Sequence, residues 1–509
     1  MSKKNTINAI ISGVGNLTGR LSGLVREMLY AYLFGTSPLI GYFKYAVALP
    51  NLARRIFGEG ALANAFIPLL ADKKNNEQDP NSYASKILTL TATFNTFLAL
   101  CGIAILFILF SLGIISNESQ ELVYLGSVMM PYLPFICLAG LLASIHNLYS
   151  KYSLPALMSS TMNVCLIAAS CFAIFTNLDE KSTIYLLAFS LVFSGLLQVF
   201  ILLRSAKKFI KLKIEYCKFK APELKSFWIS FIPVTIGASA QQISTLLDKT
   251  IALWIGPHAV SSLSYSELLI YLPVGVFGVS LGSVCLPSLS SSLAKGNLND
   301  VQRDFEKALS QAFFLSIPCS VFFYLLGDTL LKTLFLRGAF DLESLQFTLK
   351  AFLWFLPGIP FFTALKVLLS LYYANKNTKT PLKISLAMIT LNLVLGISFI
   401  PLLSHASLAM ASSVTALLNF VFLLTSAKKL SYIQNLSQIV QTNLPTIIAA
   451  SLSCITFKLI ADQLSILETG SLKFADNLLT TIIGGLIFSL LYLFFFKVFK
   501  SVFNIILKL

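Results

Sequence analysis

Four of the seven arginines in this chain, Arg20, Arg26, Arg54 and Arg55, fall between positions 20 and 55, whereas its 31 lysines are spread along the whole length. Extended to position 59, the stretch also holds Lys44 and only two acids, Glu27 and Glu59. Arginine is a planar fork of donors that stays charged when buried and grips phosphate through two parallel hydrogen bonds. Lysine is a point charge that can lose its proton in an apolar setting. Arginine used here, against lysine elsewhere, points to an oxyanion site. Helical spacing sorts these residues. Arg55 and Glu59 are four apart and are expected to pair. Arg20 and Glu27 share a face two turns apart, with Gly19 and Gly23 allowing close approach. Arg26 and Glu27 are adjacent and are expected to point to different sides. Five cations against two acids leave Arg20, Arg26 and Arg54 as the candidate unpaired cations of a substrate-binding cavity.

These charges are informative because of the elements that must carry them. Of 509 residues, 56% are hydrophobic and 12% charged, and the mean hydropathy is +0.79. Apolar runs of about 20 residues recur along the chain, each long enough to cross ~30 Å of hydrocarbon as a helix. The ~10-residue alternating segments of a barrel are absent. Fourteen spans are expected, near 7–34, 38–70, 86–114, 121–147, 155–176, 182–204, 226–255, 260–289, 308–335, 344–374, 381–403, 405–426, 442–462 and 476–499. A charge inside such a span is costly unless it faces a cavity or a partner. Glu27, Lys44, Glu59, Asp248, Lys249, Glu267 and Lys366 are therefore candidates for lining a cavity or for coupling. Asp248 and Lys249 cannot face each other, so each needs another partner. Pro50 and Pro273 interrupt helical hydrogen bonding in spans two and eight and are candidate hinges.

The net charge of +16 does not indicate nucleic acid, because the basic residues sit in alternate loops. One side carries Lys3/Lys4, Lys73/Lys74, Lys151, the run Arg204–Lys225, Lys295/Arg303, Lys376/Lys379, Lys428/Lys429 and Lys497/Lys500; the other has Lys181, Arg337 and Lys473 nearly alone. This asymmetry reads as both termini cytoplasmic. The loop 205–225 alternates lysine with Phe, Ile and Tyr. It reads either as an amphipathic segment on an anionic leaflet or as a charged connector. Eight scattered cysteines with no CxxC or Cys/His cluster suggest neither a disulfide framework nor a metal site. The interrupted N-terminal run suggests no cleaved signal peptide. His146, His258 and His405 fall at span ends and read as interfacial.

An internal repeat is visible. Leu49-Pro50, Phe57-Gly58 and Ile67-Pro68-Leu69 are echoed by Leu272-Pro273, Phe277-Gly278 and Leu286-Pro287-Ser288-Leu289. Spans five and eleven each follow a turn with a tyrosine (Tyr149, Tyr373), open with proline (Pro155, Pro381) and carry an inner asparagine (Asn163, Asn392). The copies lie about six spans apart. The expected architecture is an all-α polytopic membrane protein of 14 transmembrane helices. Two pseudo-symmetric six-helix bundles (1–204 and 226–426) are joined by a basic cytoplasmic linker (205–225) and followed by two further helices (427–509). Paired bundles of this kind are the usual build of alternating-access transporters.

The stretches SGLVREMLYAYLFG (22–35) and LPNLARRIFGEGALANAFIPLLA (49–71) resemble the signature of the MviN/MurJ lipid II flippases. QQISTLLDK (241–249), LPVGVFGVSLGSVCLPSLS (272–290) and LYYANKNTKTP (371–381) continue the likeness over essentially the whole chain. The resemblance implies the fold of the multidrug and oligosaccharide-lipid exporter superfamily. It implies a bacterial inner-membrane flippase that moves undecaprenyl-pyrophosphate-linked peptidoglycan precursor to the outer leaflet. Arg20, Arg26 and Arg54 match the family's cavity arginines and by analogy grip the diphosphate. The last two helices would help form a groove for the lipid tail. Lipid II or a similar polyprenyl-diphosphate glycolipid, membrane lipids and cell-wall synthesis proteins are the implied partners. No cofactor is implied beyond a coupling ion of unknown identity. The chain departs from the family pattern at Gly19, Glu27, Gly41, Ala48 and Leu268; the last three replace usual charges. Lys44, one turn before Ala48, is a candidate replacement for the charge missing there.

Three other functions compete. A multidrug exporter of the same superfamily would favour an acidic cavity. A flippase for another polyprenyl-linked glycan shares the diphosphate, so charge does not separate it. A polyprenyl transferase would need clustered carboxylates for Mg²⁺, and the buried acids here are scattered singly.

Overall fold

Apolar runs in a medium without water must close their own backbone hydrogen bonds, and every regular element among the described residues is helical. The computed structural model describes residues 3–54, 61–75, 79–114, 119–216, 225–433, 436–463 and 474–506. Eleven helical stretches among them are long and apolar enough to cross a bilayer, each matching an expected span. The other three expected spans fall on α1 (Lys3–Phe34), on α2 (Pro38–Arg54) with α3 (Ala61–Asn75), and on α9 (Lys225–Ile255). These three expected spans hold eight of the ten candidate charges named above, all but Glu267 and Lys366.

By compactness the chain divides into Met1–Ser261 and Ser262–Leu509. The repeat divides it at the 205–225 linker instead, and the difference is α9, which packs on α2 and α3 of the first unit. That unit also contains α4 (Pro80–Ser111), α5 (Gln120–Met129), α6 (Tyr132–Leu148), α7 (Ser153–Thr176) and α8 (Glu180–Ala206). Helix α1 runs along α7, while α2 packs on α5 and α6 lies against α4 and α8. The α1–α7 approach is close enough that a Cβ at Gly15 would sit 2.5 Å from that of Ala156. Asp79 starts α4 by accepting from the backbone N–H groups of Asn81 and Ser82 at 2.9 and 3.2 Å, satisfying donors that a helix start leaves open.

The division falls inside α10 (Pro257–Pro273). Then follow α11 (Val279–Ala294), α12 (Leu298–Phe335), α13 (Leu342–Phe355), α14 (Ile359–Ala374), α15 (Lys379–Ser398), the short α16 (Ile400–Leu403), α17 (Ala406–Lys429), α18 (Leu436–Gln463) and α19 (Phe474–Ile506). Helices α18 and α19 pair with each other and pack on α12 through Leu326, Phe457 and Phe488. Asp341 caps α13, and the Ser344 amide it accepts from, at 2.8 Å, holds its carboxyl below the usual carboxylate range. Phe97, Leu100 and Ile108 on α4 and Leu486, Leu490 and Phe494 on α19 are exposed. Large apolar side chains exposed along membrane-spanning helices are poorly tolerated in water and are solvated by hydrocarbon.

The repeat has structural counterparts. The turns after Tyr149 and Tyr373 contain Ser150 and Lys376 with φ of 58° and 55°. Asn163 and Asn392 are both buried, on α7 and α15. Pro273 is followed directly by a π-helical turn, Val274–Gly278, so the helix is broken where the sequence lost a hydrogen bond. Pro50 lies buried inside α2. The histidines sit at helix ends, as their positions in the sequence suggest. His146 and His405 are 0% and 1% exposed. Each places a ring nitrogen 2.8 Å from a backbone carbonyl, of Leu142 and Phe347 respectively, which is what a buried imidazole requires.

Candidate functional site

The charges of α1 and α2 converge on one carboxylate. Arg26 Nη2 donates to Glu27 Oε1 at 2.6 Å, and Lys44 Nζ from α2 lies 2.9 Å from Glu27 Oε2. Two expectations are thereby corrected. Arg26 is not an unpaired cation, and adjacent residues do meet. Spacing along a helix fixes where two Cβ atoms start, not where a long guanidinium ends. Glu27 and Lys44 are buried, and Arg26 is half-buried. The trio carries a net charge of +1.

Asn163 of α7 completes the arrangement. Its Oδ1 accepts from Arg26 Nη1 at 2.8 Å, while its Nδ2 donates to the Gly19 carbonyl and to Ser22 Oγ, both at 2.9 Å. Because a guanidinium only donates, the amide orientation is set by chemistry. On the other side Arg26 lies over the Tyr30 ring, 5.6 Å from its centroid. The Nε of Arg26 and the hydroxyl of Tyr30 are buried with no hydrogen-bond partner among the described residues. Within the trio two cations meet one acid and Arg26 keeps an unspent Nε donor, which an oxyanion would complete.

Neither Asn163 nor Tyr30 was read from the sequence as a site residue. Asn163 was visible only as a mark of the repeat. Tyr30 lies four residues after Arg26, a spacing that puts both on one face of α1, and that signal was available.

The other candidates are dispersed. Arg20 is exposed on α1, and Arg54 is half-buried at the end of α2. Arg55 and Glu59 lie outside the described residues. Asp248 and Lys249 are half-buried on α9. The next residue, Thr250, has its hydroxyl 3.0 Å from that of Tyr45. Glu267 and Lys366 belong to the second unit. There α14 crosses the helix break closely, and a Cβ at Gly282 would stand 2.9 Å from the Lys366 carbonyl.

Gly41 has a local explanation. A Cβ there would stand 2.2 Å from the Pro257 carbonyl oxygen, so the start of α10 occupies the space that a side chain would need. Gly41→Ala is expected to destabilise by about 1–3 kcal/mol, read as a lower Tm of the purified protein. An unchanged Tm would mean that this contact yields freely. Lys44, the candidate replacement for the charge missing at Ala48, is engaged with Glu27.

A family model described as lipid II flippase MurJ matches residues 30–502. A lipid II flippase MurJ of Burkholderia cenocepacia is 30% identical over 437 residues, 84% of each chain. A probable lipid II flippase MurJ of Rickettsia prowazekii is 31% identical over 429 residues, 83% of each. Among solved structures, a MurJ in an inward closed conformation covers 97% of this chain and 99% of its own, with a TM-score of 0.80 and 24% identity. An inward-facing multidrug resistance MATE transporter covers 84% of this chain and 100% of its own, with a TM-score of 0.67 and 13% identity. The fold is therefore shared with these structures, and the extent of the family match identifies the chain as a member of the lipid II flippase MurJ family, whose members are transporters and not enzymes.

Proposed function

We propose that this protein flips lipid II, the undecaprenyl-pyrophosphate-linked disaccharide-peptide, from the inner to the outer leaflet of the bacterial cytoplasmic membrane by alternating access. Family membership supports the substrate. The observation that carries the site is the Arg26–Glu27–Lys44 trio, with its net positive charge and the unspent Nε donor of Arg26. In this reading the diphosphate completes the hydrogen bonding of Arg26, while Arg20 and Arg54 contact it from the same two helices. Both termini face the cytoplasm, as the lysine-rich loops require. An apolar groove in the second unit, lined by Phe314, Pro318 and Phe322 of α12 and by Ile482, Leu486 and Tyr492 of α19, is suited to the polyprenyl tail.

Binding tests this directly. Purified protein titrated with polyprenyl diphosphate and polyprenyl monophosphate, followed by native mass spectrometry, should favour the diphosphate. Arg26→Ala should weaken diphosphate binding by about 10- to 100-fold, the worth of a hydrogen bond between charged groups. Equal binding of both lipids by the parent would contradict the assignment.

A further inference from the structure

The segment after α8 is neither helix nor loose connector. Residues 210–216 are not helical, and they lie along the first turns of α4. The backbone N–H of Lys211 donates to Asn81 Oδ1 at 3.0 Å, that of Lys213 to Ser85 Oγ at 3.0 Å, and that of Glu215 to Thr89 Oγ1 at 3.2 Å. The register has a simple origin. Four residues of helix advance about 6.0 Å and two of extended chain about 6.6 Å, so every second amide meets every fourth side chain. Ser82 closes the ladder by donating to Glu215 Oε2 at 2.6 Å. The near end is held by Phe209, whose ring lies 5.0 Å from that of His146 and 4.9 Å from that of Tyr149. Ile210 is buried with Phe66, Leu70 and Ile87.

The segment is thus pinned, and what it turns outward is fixed with it. Lys207, Lys208, Lys211 and Lys213 are exposed, and Ile214 and Tyr216 are 80% and 82% exposed. Among the described residues, Glu215 is engaged by Ser82 and Asp79 caps α4. Because the strap follows a membrane-spanning helix from its first turn to Thr89, about 12 Å along the axis, it lies at the level of the lipid head groups. Tyrosine and isoleucine exposed to water would be wasteful. At that level a tyrosine is favoured, and lysines reach anionic head groups.

We infer that the strap Lys207–Tyr216 is a binding surface for anionic phospholipid, with the four lysines on the head groups and Ile214 and Tyr216 seated among the upper acyl chains. This assignment is independent of the transported substrate.

The test uses the full-length protein in nanodiscs of phosphatidylcholine and phosphatidylglycerol, with retained lipid counted by native mass spectrometry after detergent release. The parent should hold phosphatidylglycerol preferentially. Changing all four lysines to glutamine should lower that preference by at least ~10-fold, and changing all four to arginine should keep it. Ile214→Ser with Tyr216→Ser should reduce retention while leaving the head-group preference. All variants are compared at the same monodisperse elution position. An undiminished preference in the glutamine variant overturns the proposal. So does loss of preference in the arginine variant, since it would show that charge is not what is recognised.

Discussion

Replacing Glu27 with glutamine should remove most of the folded protein from the membrane, and adding Lys44→Met should bring it back. Glu27 is the acid that sits between two cations, at 2.6 Å from Arg26 and 2.9 Å from Lys44. Glutamine keeps the shape but removes the charge, leaving two like charges against one another in a poorly solvated place. Breaking a buried ion pair from one side costs about 3–5 kcal/mol, a large share of the stability of a typical domain. The double variant restores the trio's net charge to +1. Membrane abundance and Tm should fall in the single variant and recover in the double. A single variant as stable as the parent would mean that water or lipid head groups already screen the trio.

Asn163→Asp should do the reverse, leaving the fold intact while abolishing transport. The new carboxylate accepts from Arg26 Nη1 where the amide oxygen now does, at 2.8 Å, so the guanidinium stays in place. The cluster becomes electrically neutral, and its attraction for an oxyanion is lost. The amide's donation to the Gly19 carbonyl and Ser22 Oγ is also lost, and Asn163→Ala, which removes the donor and the acceptor without adding charge, serves as the neutral control. Growth supported by the variant in a flippase-depleted strain, at parental abundance, would show that surplus charge at Arg26 is not needed. Failure of Asn163→Ala and Asn163→Asp alike would show that the amide's hydrogen bonds, and not the charge balance, are what transport needs.

Much of this was legible in the sequence, for reasons that differ between residues. The eleven apolar stretches were readable because a bilayer leaves a long hydrophobic helix few alternatives. The charge concentration in α1 and α2 was readable because charge inside a span needs a reason. The pairing was not. Spacing set Arg26 and Glu27 apart, but the long side chains closed that gap, and Lys44 reaches Glu27 from another helix. Asn163 lies 137 positions from Arg26, a contact that periodicity does not carry. Gly41 looked like a missing charge, and the structure makes it a steric necessity beside Pro257. The strap on α4 depends on the match between helical and extended repeats, visible once both partners are known.

The most direct measurement is rescue of a bacterium depleted of its lipid II flippase, with lipid II in the outer leaflet quantified alongside growth. The parent chain should restore both, and Arg26→Ala, at equal membrane abundance, should restore neither. Restoration by both proteins would keep the transport function and contradict the arginine site. Failure of a well-inserted parent to restore outer-leaflet lipid II would contradict the proposed substrate itself.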